Sequence, residues 1–313
     1  MKGKTAFIFP GQGSQKAGMG KDFYETYETS RRIFDLAGEW LGLDMRALCF
    51  EENEKLNRTE YTQPALAAAC LAMEKAAEER GLYPDVTAGL SLGEYCAIET
   101  AGGISLRDVL LTVRKRGILM EQAVPNGRGS MAAVIGFSKE QIENALSGIT
   151  RVGVANYNCP GQIVITGERA AVEEASVRLR KMGGGRVVPL KVSGPFHSPM
   201  LARAGEKLEK ELADVAVSAL RIPYVTNVTA EYVTDAGQIK ELLAKQISSP
   251  VRWQQSVERM IADGVETFVE IGPGKTLAGF IRKINRNVKV YNIQTTDGLE
   301  QVAAAFQGKE KKA

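Results

Sequence analysis

The chain has 313 residues, 44% of them hydrophobic and 25% charged, a composition that excludes disordered and fibrous proteins. A net charge of +3 is too mild to mark a nucleic-acid binder, although a local basic patch could still dock an acidic partner. The cysteines Cys49, Cys70, Cys96 and Cys159 form no C-x-x-C, and a single histidine rules out the usual zinc sites, so reduced thiols in a cytoplasmic protein and no bound metal are expected.

Thr5–Phe9 reads as a short buried strand halted by Pro10-Gly11, and this apolar run is too short for a signal peptide. No stretch is long enough to span a bilayer, so no membrane partner is expected. Helical periodicity follows over 29–41 and over the Ala-rich 62–80, which Gly81 closes. Residues 85–90 form a second strand that turns at once into helix over 92–100, and 106–123 is another amphipathic helix. Alternation of this kind predicts a mainly parallel sheet with covering helices.

The pattern then changes. Strands at 130–136, 152–156, 162–166 and 186–192 alternate with helices at 138–146 and 168–182, the β-α-β-β-α-β order of a ferredoxin-like unit. This predicts an inserted subdomain over 126–193 within an α/β core made of 1–125 and 194–313. A helix ending near Val215, a strand over 223–228, helices around 237–246 and over 253–262, a strand over 267–271, a helix over 275–284, a strand over 288–293 and a helix over 299–306 complete the core. The closing G-K-E-K-K-A reads as a solvated tail.

The one histidine, His197, lies in V-S-G-P-F-H-S. Imidazole takes and returns a proton near neutral pH, so it is the sole candidate of that type for a general base. G-L-S-L-G, Gly89 to Gly93, sits between predicted strand and helix, the setting of a nucleophile elbow. There a sharp turn lifts Ser91 Oγ clear of the sheet and aims the Leu92 N–H at a developing oxyanion. The loop P-G-Q-G-S-Q lacks the third glycine of a dinucleotide fingerprint, and its Gln12 N–H could be a second oxyanion donor. E-I-G-P-G-K-T imitates a phosphate-binding loop, but Val269 stands where the first glycine is required and Pro273 removes an N–H, so nucleotide binding is rejected. The sequons at Asn57 and Asn227 carry no meaning in a cytoplasmic chain. Arg116, within V-R-K-R-G-I-L-M, is the one basic residue of its run expected to face inward, where it would need a carboxylate partner, from the protein or from a substrate held bidentately.

Taken in order, F-P-G-Q-G-S-Q, G-x-S-L-G-E-Y, V-R-K-R-G-x-x-M, N-x-N-x-P-G-Q-I-V-I-T-G, G-P-F-H-S, S-P-V-R-W and E-I-G-P-G-K resemble the malonyl-CoA:acyl carrier protein transacylases of bacterial fatty-acid synthesis, from about Thr5 to the last helix. The resemblance implies a hydrolase-like parallel-sheet core with the ferredoxin-like subdomain beside it and the active site between them. It implies Ser91 as nucleophile, His197 as base, a backbone carbonyl at Gln246 orienting the imidazole, Gln12 and Leu92 as oxyanion donors, Arg116 on the malonyl carboxylate and Phe196 favouring an unbranched malonyl group. It further implies malonyl-CoA and an acidic acyl carrier protein as partners, no cofactor and a monomer. One residue departs from the pattern: Leu90 stands where the family usually has histidine, from which altered rate or positioning is expected. A serine esterase would place its histidine close to the C-terminus, whereas more than a hundred residues follow His197 here. A non-catalytic carrier-binding scaffold finds support only in Leu90, and service to a polyketide rather than a fatty-acid pathway leaves no mark in the sequence.

Overall fold

The computed structural model describes residues 3–125, 127–192 and 194–310. The chain opens with β1 (Lys4–Phe9), then the short helix α1 (Lys21–Thr26), α2 (Glu28–Leu41), α3 (Met45–Phe50) and the long α4 (Thr59–Glu79). It continues through β2 (Val86–Gly89), α5 (Gly93–Thr100) and α6 (Leu106–Gln122). The next stretch holds β3 (Gly129–Ile135), α7 (Lys139–Leu146), β4 (Val152–Cys159), β5 (Gln162–Glu168), α8 (Arg169–Met182) and β6 (Arg186–Pro189). The remainder runs α9 (Ala202–Ala213), β7 (Tyr224–Val225), β8 (Tyr232–Val233), α10 (Ile239–Gln246), α11 (Trp253–Ala262), β9 (Val265–Ile271), α12 (Thr276–Ile284), β10 (Lys289–Ile293) and α13 (Thr296–Glu310).

Two sheets result. The larger has the order β10-β9-β1-β2-β7-β8 and is parallel except for the terminal β7–β8 pair. Its central strand β1 is buried from Thr5 to Phe9, as a strand covered on both faces must be. Helix α4 packs against α2 and α6, and its Ala-rich surface is buried on nearly all sides, which explains its weak amphipathic pattern. The smaller sheet is antiparallel with the order β4-β5-β3-β6, the ferredoxin-like order, with its own core of Val134, Phe137, Ile142, Ile165, Ala175 and Leu179. The α/β class and the parallel core with a ferredoxin-like insertion are therefore as expected. Of the junction residues in the sequence-based division, Asn126 and Ser193 lie outside the described residues, as do residues 1–2 and 311–313; the expected solvated tail is helical as far as Glu310.

Several elements differ from expectation. The helices α1 and α3 and the two-residue β8 carry too few turns or alternations to show a period. The strand expected over 223–228 stops at Val225, and Asn227 beyond it is engaged through its side chain. The strand expected as far as Val192 ends at Pro189, which has no N–H for a ladder. Among the described residues no helix is long and apolar enough to cross a membrane, no group of three or more His, Cys, Asp or Glu side chains could hold a metal, and the four cysteines are free and buried.

The two sheets are stitched together at one edge. Tyr157 N–H of β4 donates to Val251 O (2.9 Å), and Val251 N–H donates back to Ala155 O (2.8 Å), so the loop before α11 pairs with the outer strand of the small sheet. Between the sheets lies a cavity of about 280 Å3. Its walls come from the loops that follow β1 and β2, the start of α12, and residues of β3, β4 and β5, at the carboxyl ends of the parallel strands where open α/β sheets bind ligands.

Candidate active site

The elbow forms because two glycines permit a contact that no other residue allows. A Cβ on Gly89 would lie 1.9 Å from the backbone of Gly93, and one on Gly93 would lie 2.1 Å from Phe9 O. Strand β2, helix α5 and strand β1 thus meet without side chains between them. Ser91, at the apex, adopts φ +55°, a left-handed conformation that L-residues occupy at a cost of about 1–3 kcal/mol. His197 does the same at φ +57°, within a turn closed by Ser198 Oγ donating to Pro195 O. Left-handed backbone at both residues of a proposed pair is the pattern of strain held at a functional site.

The sequence-predicted pair meets. Ser91 Oγ lies 2.8 Å from His197 Nε2, although 106 residues separate them. On the far side of the ring, Nδ1 faces the carbonyl oxygens of Gln246 (3.0 Å) and Ser249 (3.2 Å). Carbonyls only accept, so Nδ1 carries the proton and Nε2 presents its lone pair to the hydroxyl. Burial, and behind it the positive charge of Arg116, lowers the imidazole pKa to about 4 against the opposing pull of the two carbonyls. The ring is accordingly neutral, as a base must be, at physiological pH.

Arg116 is fully buried, as the sequence indicated for one residue of its run, but among the described residues no carboxylate touches it. Nη1 donates to Gln63 Oε1 (2.8 Å), and Nη2 donates to Ser91 Oγ (3.0 Å) and Gln246 Oε1 (2.9 Å), while the guanidinium sits 5.4 Å over the Tyr95 ring. Its direct acceptors are all neutral. The nearest carboxylate is one amide away: Gln246 Nε2 donates to Glu94 Oε2 (2.7 Å) and to Ser91 O (2.9 Å). Burial pushes Glu94 up to about 7, against the downward pull of its hydrogen bonds to Gln246, Thr226 and Asn227 and of the Arg116 charge. Gln246 therefore does more than offer a carbonyl: its backbone aims the imidazole while its side chain ties Arg116, Glu94 and the elbow together.

Gln12 lines the cavity, with its side-chain amide on Thr59 Oγ1 (3.2 Å), and Leu92 opens α5. Among the described residues neither backbone N–H donates to a protein acceptor, which is the state an oxyanion hole requires. Phe196 lines the cavity with Met120, Met131, Val164 and Val192, which together make an apolar part of its wall. Leu90 adds to this wall and packs on the core around Val225 and Trp253, so an apolar side chain occupies the site of the family's histidine. The glycine loop after β9 is not a phosphate site: Glu270 lies in front of α12 and accepts from Leu277 N–H (3.0 Å) and Ala278 N–H (2.9 Å), filling the anion position with the protein's own carboxylate.

Gln63 and the role of Glu94 were missed from sequence alone, Asn227 registered only as a sequon, and Ser249 entered only as the first residue of S-P-V-R-W. A carboxylate three residues past the nucleophile was visible, but nothing local said what it would meet.

A serine on a strand-to-helix elbow, in contact with a neutral imidazole and flanked by two unengaged N–H groups, is equipped to take an acyl group onto its hydroxyl. The chain belongs to the acyl transferase domain family, whose model matches residues 6–301. It is 44% identical to the malonyl CoA-acyl carrier protein transacylase of Bacillus subtilis (strain 168) over 302 residues, 95% of each chain. The crystal structure of malonyl CoA-acyl carrier protein transacylase from Clostridium perfringens superposes with a TM-score of 0.94 at 42% identity, covering 98% of both chains. A malonyl-transacylase in complex with its type II PKS acyl-carrier protein gives 0.94 at 36% identity, over 96% of this chain and 99% of that one.

Proposed function

We propose that this protein transfers the malonyl group of malonyl-CoA to the phosphopantetheine thiol of acyl carrier protein through a malonyl-Ser91 ester, supplying fatty-acid elongation. The observation that carries the reading is the 2.8 Å contact between Ser91 Oγ and an imidazole whose other nitrogen is held on carbonyls. The names of the relatives supply the donor and the acceptor.

In this reading His197 Nε2 takes the Ser91 proton as Oγ attacks the thioester carbonyl. The Gln12 and Leu92 N–H groups meet the charge on the carbonyl oxygen, each worth about 3 kcal/mol. The C–S bond breaks, the thiolate leaves with the proton held by His197, and the ester remains. The carrier's thiol then gives its proton to His197 and reverses the steps. As Oγ turns to the substrate, Arg116 Nη2 loses its serine acceptor, and the malonyl carboxylate takes that place. Phe196 bounds the space beside the acyl group and disfavours a branched one. No step draws on a metal or redox cofactor. The enzyme acts as a monomer in the cytoplasm, with neither nucleic acid nor membrane as partner.

The test is intact and peptide mass measurement after mixing with malonyl-CoA. The expected result is one malonyl adduct on the Ser91 peptide, discharged by holo carrier protein and absent from Ser91→Ala. An adduct on the Ser91→Ala protein, or steady release of free malonate without an acceptor, overturns the reading.

A further inference from the structure

Strand β7 stops after Val225, yet its pairing with β2 continues one rung further by other means. Thr87 and Ala88 pair with Tyr224 and Val225 through backbone. The next polar groups along β2 are Gly89 O and Ser91 N–H, and both are engaged by the side chain of Asn227. Asn227 Nδ2 donates to Gly89 O (2.6 Å), and Asn227 Oδ1 accepts from Ser91 N–H (2.6 Å). One side-chain amide thus stands in for the peptide that a longer strand would have supplied, closing a ring across Gly89, Leu90 and Ser91.

Asn227 is itself fixed at every polar group. It is 1% exposed, its N–H donates to Glu94 Oε2 (3.1 Å), and its carbonyl accepts from Arg252 N–H (3.0 Å). Flipping the amide would set donor against donor and acceptor against acceptor, so its orientation is unique. The elbow is consequently gripped on both peptides of Ser91: by Asn227 on the N–H side, and by Gln246 Nε2 on the carbonyl.

We propose that Asn227 is a positioning residue for acyl transfer, its side-chain amide holding Ser91 in the left-handed turn that presents Oγ to His197 and directs the Leu92 N–H toward the oxyanion. Leu90 is bridged by this clamp only through its backbone, so the clamp works whatever side chain occupies that position. The proposal rests on Ser91 being the nucleophile, and the experiment separates the two.

Asn227→Ala removes both bonds. Asn227→Asp has the same shape and keeps the bond to Ser91 N–H, but turns an acceptor on Gly89 O. The measurements are the fraction of molecules that take up malonyl, the single-turnover acylation rate of that fraction, and the KM for malonyl-CoA. The expected result is a rate about 100-fold lower in Asn227→Ala and about tenfold lower in Asn227→Asp, with KM held within about threefold, because misplacement of a reacting group is felt in the chemical step. A merely structural asparagine would lower the reactive fraction and leave the rate of the remaining molecules unchanged, and that result overturns the proposal. So does failure of both variants to fold, which would assign Asn227 to the fold alone. If the wild-type protein carries no adduct on Ser91, it is the nucleophile assignment that fails.

Discussion

Ser91 and His197 leave none of their side-chain polar atoms without a partner. The hydroxyl faces Nε2 and Arg116 Nη2, the second imidazole nitrogen faces carbonyls, and among the described residues no carboxylate lies on the ring. With no anion to stabilise an imidazolium, burial and the Arg116 charge keep the folded pKa near 4, below the ordinary 6.5. An activity limb follows. The dependence of kcat/KM on pH, which reports the free enzyme, is expected to lose its base limb near pH 4 as His197 protonates, distinct from any step near pH 7 that Glu94 adds through Gln246. If Arg116 takes the malonyl carboxylate as proposed, that anion cancels part of the opposing charge in the saturated complex, and the acylation limb at saturating malonyl-CoA is expected to move to higher pH. An acetyl donor, lacking the carboxylate, leaves it in place. Equal limbs for the two donors would remove Arg116 from the electrostatics of the base. Linkage gives stability the same sense: between pH 6.5 and 4 the unfolded chain binds a proton that the folded imidazole refuses, so this group's contribution is full above 6.5 and is lost as pH falls through the window.

At the scale of elements, the elbow exists because β1, β2 and α5 touch through bare backbone. A methyl group on Gly93 would need Phe9 O, Phe9 C and Pro10 O all to move, and these are the end of the central strand and the residue just after it. Gly93→Ala is therefore expected to lose about 3 kcal/mol or more, a fall in Tm of roughly 4–5 °C or more for a chain of this size. Gly279→Ala, in α12 where nothing lies within 4 Å, should instead gain up to about 1 kcal/mol from helix propensity. Equal shifts in a thermal melt would mean that the elbow glycines are not pressed against β1. The contrast shows what sequence conveys. The elbow, the strand before it, the inward arginine and the ferredoxin-like order were legible because each is written in consecutive residues or in a regular period. The Gln246 carbonyl was reachable only through the family likeness, since every residue offers a carbonyl. The Asn227 clamp spans 136 residues, and the Gln246–Glu94 bond spans 152. No local pattern encodes contacts of that span, so they emerge only when the sheet brings the ends of β2, β7 and α10 together.

The whole molecule is two sheets facing a cleft, and its behaviour depends on whether they move as one. The chain passes between them twice, and the paired Tyr157 and Val251 amides add a third link at the edge of the cleft. Amide hydrogen exchange checks this. If the lobes hold as one body, Tyr157 and Val251 exchange within about tenfold of the β1 amides Phe7 and Ile8; if the cleft opens as a hinge, they exchange with the surface loops.

That seam lies only five residues beyond Gln246 and two beyond Ser249, whose oxygens steer the imidazole. The strand-to-loop seam and the carbonyls that aim the proton acceptor thus belong to one continuous piece of chain, so any separation of the lobes at that edge would pull on both.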